Sequence, residues 1–317
     1  MNRHLALELA RVTEAAALES GRWIGKGDKN AADDAATTAM RNALGKMDIY
    51  GTVVIGEGEM DEAPMLYIGE KMGNSKHQAV DIAVDPLEGT TLCAKGINGA
   101  ITTIALAPSG GFLNAPDMYM DKIIVGPDGR GIIDIDAPAA ENLRRLAQRK
   151  NCNIEDLTVV LLDRPRHADI VTDIRKAGAC IHLISDGDVA PAVATGIADS
   201  GVDMVLGIGG APEGVLAAAA AKCTGGDMQA RLVFTTDEER ERAPQMGIND
   251  PDRIYTLEDM AAGNVFFAAT GVTSGPLLRG IRYFSGGART HTVVMRSKSR
   301  TVRFLDAYHY FDHKPAN

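Results

Sequence analysis

Residues 158–184 read TVVLLDRPRHADIVTDIRKAGACIHLI, and the rhythm of this stretch decides the fold class. Its first five residues are apolar and β-branched, a strand; residues 168–176 carry a helical period; residues 180–184 are apolar again. The alternation continues with a helix over 189–197, a strand over 204–208 and a helix over 215–222. Strands that alternate with helices imply crossover units and largely parallel pairing, so the class is α/β. Further strands follow at 231–234, 265–270, 290–296 and 301–310.

Upstream of residue 150 the texture is less regular. Leu5, Leu9, Val12, Ala16 and Ala17 recur at helical spacing over 4–22, Gly25 and Gly27 break that helix, and a second runs over 31–44. Asp33 and Asp34 fall in its first turn, where the helix dipole alone accounts for one of them. Lys29, just ahead, reads equally as a solvated lysine. A buried strand at 52–55 leaves through Gly56-Glu57-Gly58-Glu59, and a carboxylate between glycines is presented to something more readily than it is packed. Asp61 and Glu62 then enter a short helical piece with Pro64 near its start. Strands also cover 99–106 and the end of 112–125, GPDGRG at 126–131 reads as a hairpin-type turn, and 139–150 is a helix. The change of rhythm near 150 divides the chain into 1–150 and 151–317, with no linker to mark it.

Between these lies DIAVDPLEGTT, residues 81–91. Val80, Ile82 and Val84 form a strand that Pro86 stops, because proline has no amide to donate. Asp85, Glu88, the Leu87 carbonyl and the Thr90 hydroxyl then make an oxygen-rich corner suited to a hard divalent cation. An Asp-Pro turn with solvated acids uses the same residues. Three strand exits in the second half carry polar groups: Arg164-Pro165-Arg166-His167, Asp186-Gly187-Asp188 and Gly209-Gly210-Ala211-Pro212-Glu213-Gly214. Ligands of parallel α/β sheets bind outside such ends. Arg164 and Arg166 suit phosphate, Asp186 and Asp188 suit sugar hydroxyls, and Glu213 also suits a helix N-terminus. GIGG departs from the dinucleotide fingerprint GxGxxG.

Composition narrows the function. With 317 residues and 45% hydrophobic content the chain can bury a large core, and 34 glycines suit an enzyme of many tight turns. A net charge of −9 argues against nucleic acid and anionic membranes as partners. Four scattered cysteines without a CxxC pair, no signal-peptide core and no apolar run of spanning length point to the cytoplasm. His309 and His313 lie near the end and read as surface residues, so a zinc hydrolase is disfavoured.

DPLEGT resembles the DP(I/L)(D/E)GT signature of the lithium-sensitive, Mg²⁺-dependent sugar and inositol phosphatases. GDKNAAD (27–33), VVIGEGEMDEAPMLYIGE (53–70), DIAVDPLEGT (81–90), FLNAPDMYM (112–120), RPRH (164–167), DGD (186–188) and GIGGAPEG (207–214) are similar to class II fructose-1,6-bisphosphatase, over nearly the whole chain. The resemblance implies a layered α-β-α-β-α sandwich, with metal binding and catalysis in 1–150 and substrate binding in 151–317. It implies Asp33, Glu57, Asp85, Glu88 and Glu213 as ligands of two or more Mg²⁺ or Mn²⁺ ions. Glu88, Gly89, Thr90, Tyr119, Arg164, Pro165, Arg166, Asp186, Gly187, Asp188 and Gly210 would meet the substrate. Thr90 would help activate the attacking water, with Lys29 and Asp61 nearby. The implied reaction is metal-dependent hydrolysis of the C1 phosphate of fructose 1,6-bisphosphate, by a homodimer or homotetramer. Arg164 stands where some relatives have Lys, and the segment around 237–247 is shorter than in longer relatives. The alternatives are a sedoheptulose-1,7-bisphosphatase or dual-specificity enzyme, an inositol-monophosphatase-like enzyme, and a non-catalytic sugar-phosphate sensor. Thr90 beside the acids speaks against the sensor.

Overall fold

Gly25 and Gly27 separate two helices, α1 (Leu5–Ser20) and α2 (Lys29–Leu44), in the computed structural model, which describes residues 1–58, 65–75, 78–246 and 248–313. α2 starts earlier than its apolar pattern implies because Asp28 caps it, accepting the Ala31 amide at 3.0 Å. Asp33 and Asp34 therefore belong to the second turn, past the short reach of the helix dipole. Dipole compensation does not explain them.

The strands follow as β1 (Tyr50–Ile55), β2 (Lys71–Met72), β3 (Ala79–Glu88), β4 (Ile101–Pro108), β5 (Tyr119–Val125), β6 (Thr158–Leu162), β7 (Cys180–Ile184), β8 (Met204–Gly210), β9 (Asp227–Val233), β10 (Tyr255–Thr256), β11 (Phe266–Gly271), β12 (Arg282–Phe284), β13 (Gly287–Arg296) and β14 (Thr301–Tyr310). Between them lie α3 (Thr90–Lys95), α4 (Ala139–Lys150), α5 (Ala168–Ala177), α6 (Val189–Ala194), α7 (Ala211–Thr224), α8 (Asp237–Arg242) and α9 (Leu257–Met260).

These strands build two mixed sheets. The first runs β12-β13-β11-β4-β3-β1-β2 with β14 on the free side of β13, and the second runs β10-β9-β5-β8-β6-β7. Parallel pairing in the second sheet is confined to β6 with β7 and β6 with β8. The crossover through α7 does carry β8 into a strand of the same direction, β9. An upstream strand, β5, is slotted antiparallel between them. Local alternation cannot reveal such an insertion. Two local readings also change. Pro86 does not stop its strand: β3 continues to Glu88 through a bulge between Asp85 and Glu88, where a missing amide is tolerated. GPDGRG makes no hairpin, since Pro127–Gly129 forms a 3₁₀ turn that leads toward α4.

Three apolar clusters stack the layers. Leu9, Met40 and Leu44 of α1 and α2 pack on Ile82, Ile104 and Phe266 at the outer face of the first sheet. Leu143, Leu146 and Ile174 of α4 and α5 pack on Ile123, Val159 and Leu161 of the second. Between the sheets runs α7, whose stretch from Val215 to Ala221 is buried on every side. Its alanines suit a helix that touches both sheets at once. The order is α-β-α-β-α, a mixed α/β sandwich with no barrel. No helix among the described residues is long and apolar enough to cross a membrane.

Hydroxyls tie α1 to the first sheet. Thr102 donates to the Thr13 carbonyl at 2.9 Å, and Thr270 lies 2.8 Å from both the Thr13 and Thr292 hydroxyls. Thr270→Val keeps the shape and leaves Thr292 without its buried partner. We expect a loss of about 1–2 kcal/mol in urea unfolding, and an unchanged midpoint would contradict this account.

Candidate active site

The strand ends and not the strand bodies make the site. β1, β3, β6, β7 and β8 each release a polar segment at their C-terminal ends, and these segments face one cavity of about 450 Å³. Because β5 is antiparallel to β8, its first residue, Tyr119, pairs with Gly210 and reaches the same edge. The cavity is lined by Asp33, Glu57, Asp85, Glu88 and Glu213, together with Gly89, Thr90, Tyr119, Arg164, Arg166, Asp186, Gly187, Asp188 and Gly210. Pro165 lies between two lining arginines without lining it, and Lys29 is exposed one helical turn before Asp33 on the same face of α2. Asp61 lies outside the described residues. Asp117 also lines the cavity; it lies within the FLNAPDMYM stretch but was not among the expected site residues.

The acids disturb one another. Burial, and then the charges of Glu88, Glu213, Glu57 and Asp33, push the Asp85 carboxyl well above its ordinary range. Burial and Asp188 do the same to Glu88, against the pull of the Val189 amide that it accepts at 2.7 Å. Burial lifts Glu57 to about 8 and Asp33 to about 6, with Asp33 and Asp34 adding to the first and Asp34 to the second. Glu213, in the first turn of α7, is raised by burial and by Asp188, and Lys122 opposes this.

Lys122 was not found from sequence. Within MYMDKIIV a lysine reads as a solvated strand residue, yet it is 1% exposed and its Nζ lies 2.7 Å from Asp188 Oδ2 and 3.4 Å from the Gly210 carbonyl. The Gly209-Gly210 pair is explained here as well. A Cβ at Gly209 would come within 2.4 Å of Asp188 Oδ2, and one at Gly210 within 1.9 Å of Glu213 Oε2. Both glycines leave room for carboxylates. By contrast Asp81, earlier on β3, serves the backbone, its Oδ2 accepting the Gly111 and Phe112 amides at 2.9 and 3.3 Å.

The residues fit a hard divalent cation in kind. Every acidic donor is an oxygen, and among the described residues no imidazole or thiol lines the cavity and Glu88 Oε2 is buried with no hydrogen-bond partner. An orphaned buried carboxylate oxygen is costly unless something positive meets it. Among the described residues no three acids already close on one point, so they ring the cavity and do not form a finished cage.

Opposite in charge, Arg166 donates to the Ile208 carbonyl from Nη2 at 2.7 Å and from Nε at 3.2 Å, with its guanidinium carbon 4.8 Å from the centre of the Tyr119 ring. Arg164 donates to the Asp163 carbonyl at 3.0 Å, and its charge partly offsets the burial that raises Asp186. One cavity thus presents carboxylates and a guanidinium pair together.

Comparison with known proteins agrees with this chemistry. The family described as bacterial fructose-1,6-bisphosphatase, glpX-encoded, matches residues 3–309. A protein of Synechococcus sp. (strain JA-2-3B'a(2-13)), named D-fructose 1,6-bisphosphatase class 2/sedoheptulose 1,7-bisphosphatase, is 45% identical over 98% of this chain and 97% of its own. One of the same name from Microcystis aeruginosa (strain NIES-843 / IAM M-2473) is 45% identical over 98% of each chain. The chain belongs to the class II, glpX-type fructose-1,6-bisphosphatase family, metal-dependent phosphoric monoester hydrolases of carbohydrate metabolism.

Proposed function

We propose that this cavity hydrolyses the C1 phosphate of fructose 1,6-bisphosphate to give fructose 6-phosphate, with Mg²⁺ or Mn²⁺ held by Asp33, Glu57, Asp85, Glu88 and Glu213. The observation that carries the reading is the coexistence of those acids and two guanidiniums in one cavity. Acids alone would repel a phosphate ester, and arginines alone would bind one without cleaving it. Bound divalent cations supply positive charge against the transferring phosphoryl group and lower the pKa of water. The protein's own groups then orient and hold. Gly89 takes a left-handed conformation, φ 81°, which turns the chain so that Thr90 opens α3 at the cavity wall. Its hydroxyl orients the attacking water, with a cavity acid such as Asp33 as partner. Arg164 and Arg166 hold the distal phosphate through forked hydrogen bonds, and Asp186 and Asp188 accept sugar hydroxyls. Binding energy spent on the distal phosphate positions the reacting one.

Sedoheptulose 1,7-bisphosphate, named for the relatives, carries the same pair of phosphates, and a cavity of about 450 Å³ supports a second activity on it. The self-association that the resemblance implies is supported by the corner of the first sheet, where Tyr283, Phe284, Phe304, Tyr308 and Tyr310 are exposed.

Three outcomes are expected. Arg166→Ala raises KM for the bisphosphate by roughly tenfold or more, the worth of charge-assisted hydrogen bonds, and leaves KM for a simple phosphate monoester nearly unchanged. Equal effects on both would sink the distal-phosphate role. Thr90→Val lowers kcat by about 10²-fold or more while Mn²⁺ uptake, read by calorimetry, is retained. Near-wild-type turnover would remove Thr90 from the mechanism. The third concerns pH. Without cations, Asp33 and Glu57 keep their protons to about 6 and about 8 in the fold, against 3.8 and 4.5 ordinarily. The folded state then binds more protons than the unfolded one, so this stability is complete below those ordinary values and is lost as pH rises through the folded ones. Added Mn²⁺ should therefore raise Tm more at pH 8 than at pH 6, and equal increments would contradict the assignment.

A further inference from the structure

β6 and β8 are paired only at Val159 with Met204 and Val160 with Val205, although β6 runs on to Leu162 and β8 to Gly210. Each stays paired on its other side, β6 with β7 as far as Leu162 and Ile184, and β8 with β5 as far as Gly210 and Tyr119. The second sheet is thus split at its cavity end. His167 fills the split. It closes the 3₁₀ turn Pro165–His167 after β6 and is 3% exposed. Its Nδ1 lies 2.7 Å from the Leu162 carbonyl, and its Nε2 lies 2.9 Å from the Ile208 amide. A carbonyl can only accept and an amide can only donate, so Nδ1 carries the proton and Nε2 presents a lone pair. Gly207 makes the fit possible, since a Cβ there would meet Nε2 at 2.9 Å.

The residue whose amide His167 holds is the one whose carbonyl aims Arg166. Ile208 gives its amide to Nε2 and its carbonyl to the Arg166 guanidinium. His167 itself does not line the cavity. We infer that His167 is a positioning residue: its imidazole replaces the missing β6–β8 ladder and fixes the backbone at Ile208, whose carbonyl orients Arg166 toward the substrate. The inference deepens the proposed function and rests on Arg166 as the distal-phosphate group.

Two conservative variants separate positioning from mere packing. His167→Gln can still place an acceptor near the Nε2 position and loses the bond to Leu162. His167→Asn can still donate near the Nδ1 position and loses the acceptor for Ile208. Both are expected to lower Tm. With saturating Mn²⁺, only His167→Asn should raise KM for fructose 1,6-bisphosphate, by on the order of tenfold, with kcat on a simple monoester unchanged. Combined with Arg166→Ala it should add nothing further, because both changes remove one interaction. Equal KM in the two variants, or an additive double variant, would overturn the inference. If Arg166→Ala raises KM and His167→Asn does not, positioning alone fails; if Arg166→Ala leaves KM unchanged, the distal-phosphate reading fails with it. Should His167→Asn not fold, Gly207→Ala presses on the same ring, and an unchanged KM there would equally overturn the inference.

Discussion

Too many carboxylates share too little water in this cavity, and the rest of the site is arranged around that constraint. Asp85 feels Glu88, Glu213, Glu57 and Asp33 together, and these come from β3, the exit of β1, α2 and α7. Charges gathered from such distant parts of the chain persist only if something positive answers them. Lys122 answers for Asp188 from below, through a buried ion pair. Glu88 keeps one oxygen that no group of the described protein satisfies. In the proposed function that open oxygen is one that a divalent cation would meet.

The sheets bring the acids together through strand direction. In the second sheet, β6, β7 and β8 end at the same edge, and β5 begins there because it runs the other way. In the first sheet, β1 and β3 are parallel, which sets Glu57 beside Asp85 and Glu88. The bulge within β3 matters for the same reason, because it inserts the chain between Asp85 and Glu88 and leaves both acids facing the cavity. Backbone close approach then adjusts the fine positions. Gly209 and Gly210 let side-chain carboxylates fold against the main chain where any larger residue would push them out.

Much of this was legible in the residues. Acids between glycines or beside a proline at strand exits have little packing reason to be there, and Glu57, Asp85, Glu88 and Glu213 all line the cavity. Arg164 and Arg166 carried their own chemistry and reached the same place. The parts that were not legible depend on long-range pairing. Lys122 has a partner only because β5 lies beside β8, and its neighbours in sequence reveal nothing of that. His167 looked like one more polar residue in a turn, whereas its role depends on a gap between two strands. Asp28 was hidden for a milder reason: a cap declares itself only when the helix start is known, and the apolar pattern of α2 begins later than the helix.

In the proposed function, acids from separate elements hold divalent cations at the point where a sugar phosphate is cleaved. Anomalous diffraction from crystals grown with Mn²⁺ would locate those cations. Metal peaks are expected inside the cavity, at roughly 2.0–2.6 Å from carboxylate oxygens of Asp33, Glu57, Asp85, Glu88 and Glu213. Peaks confined to other surfaces, or a cavity free of metal at saturating Mn²⁺, would contradict that function.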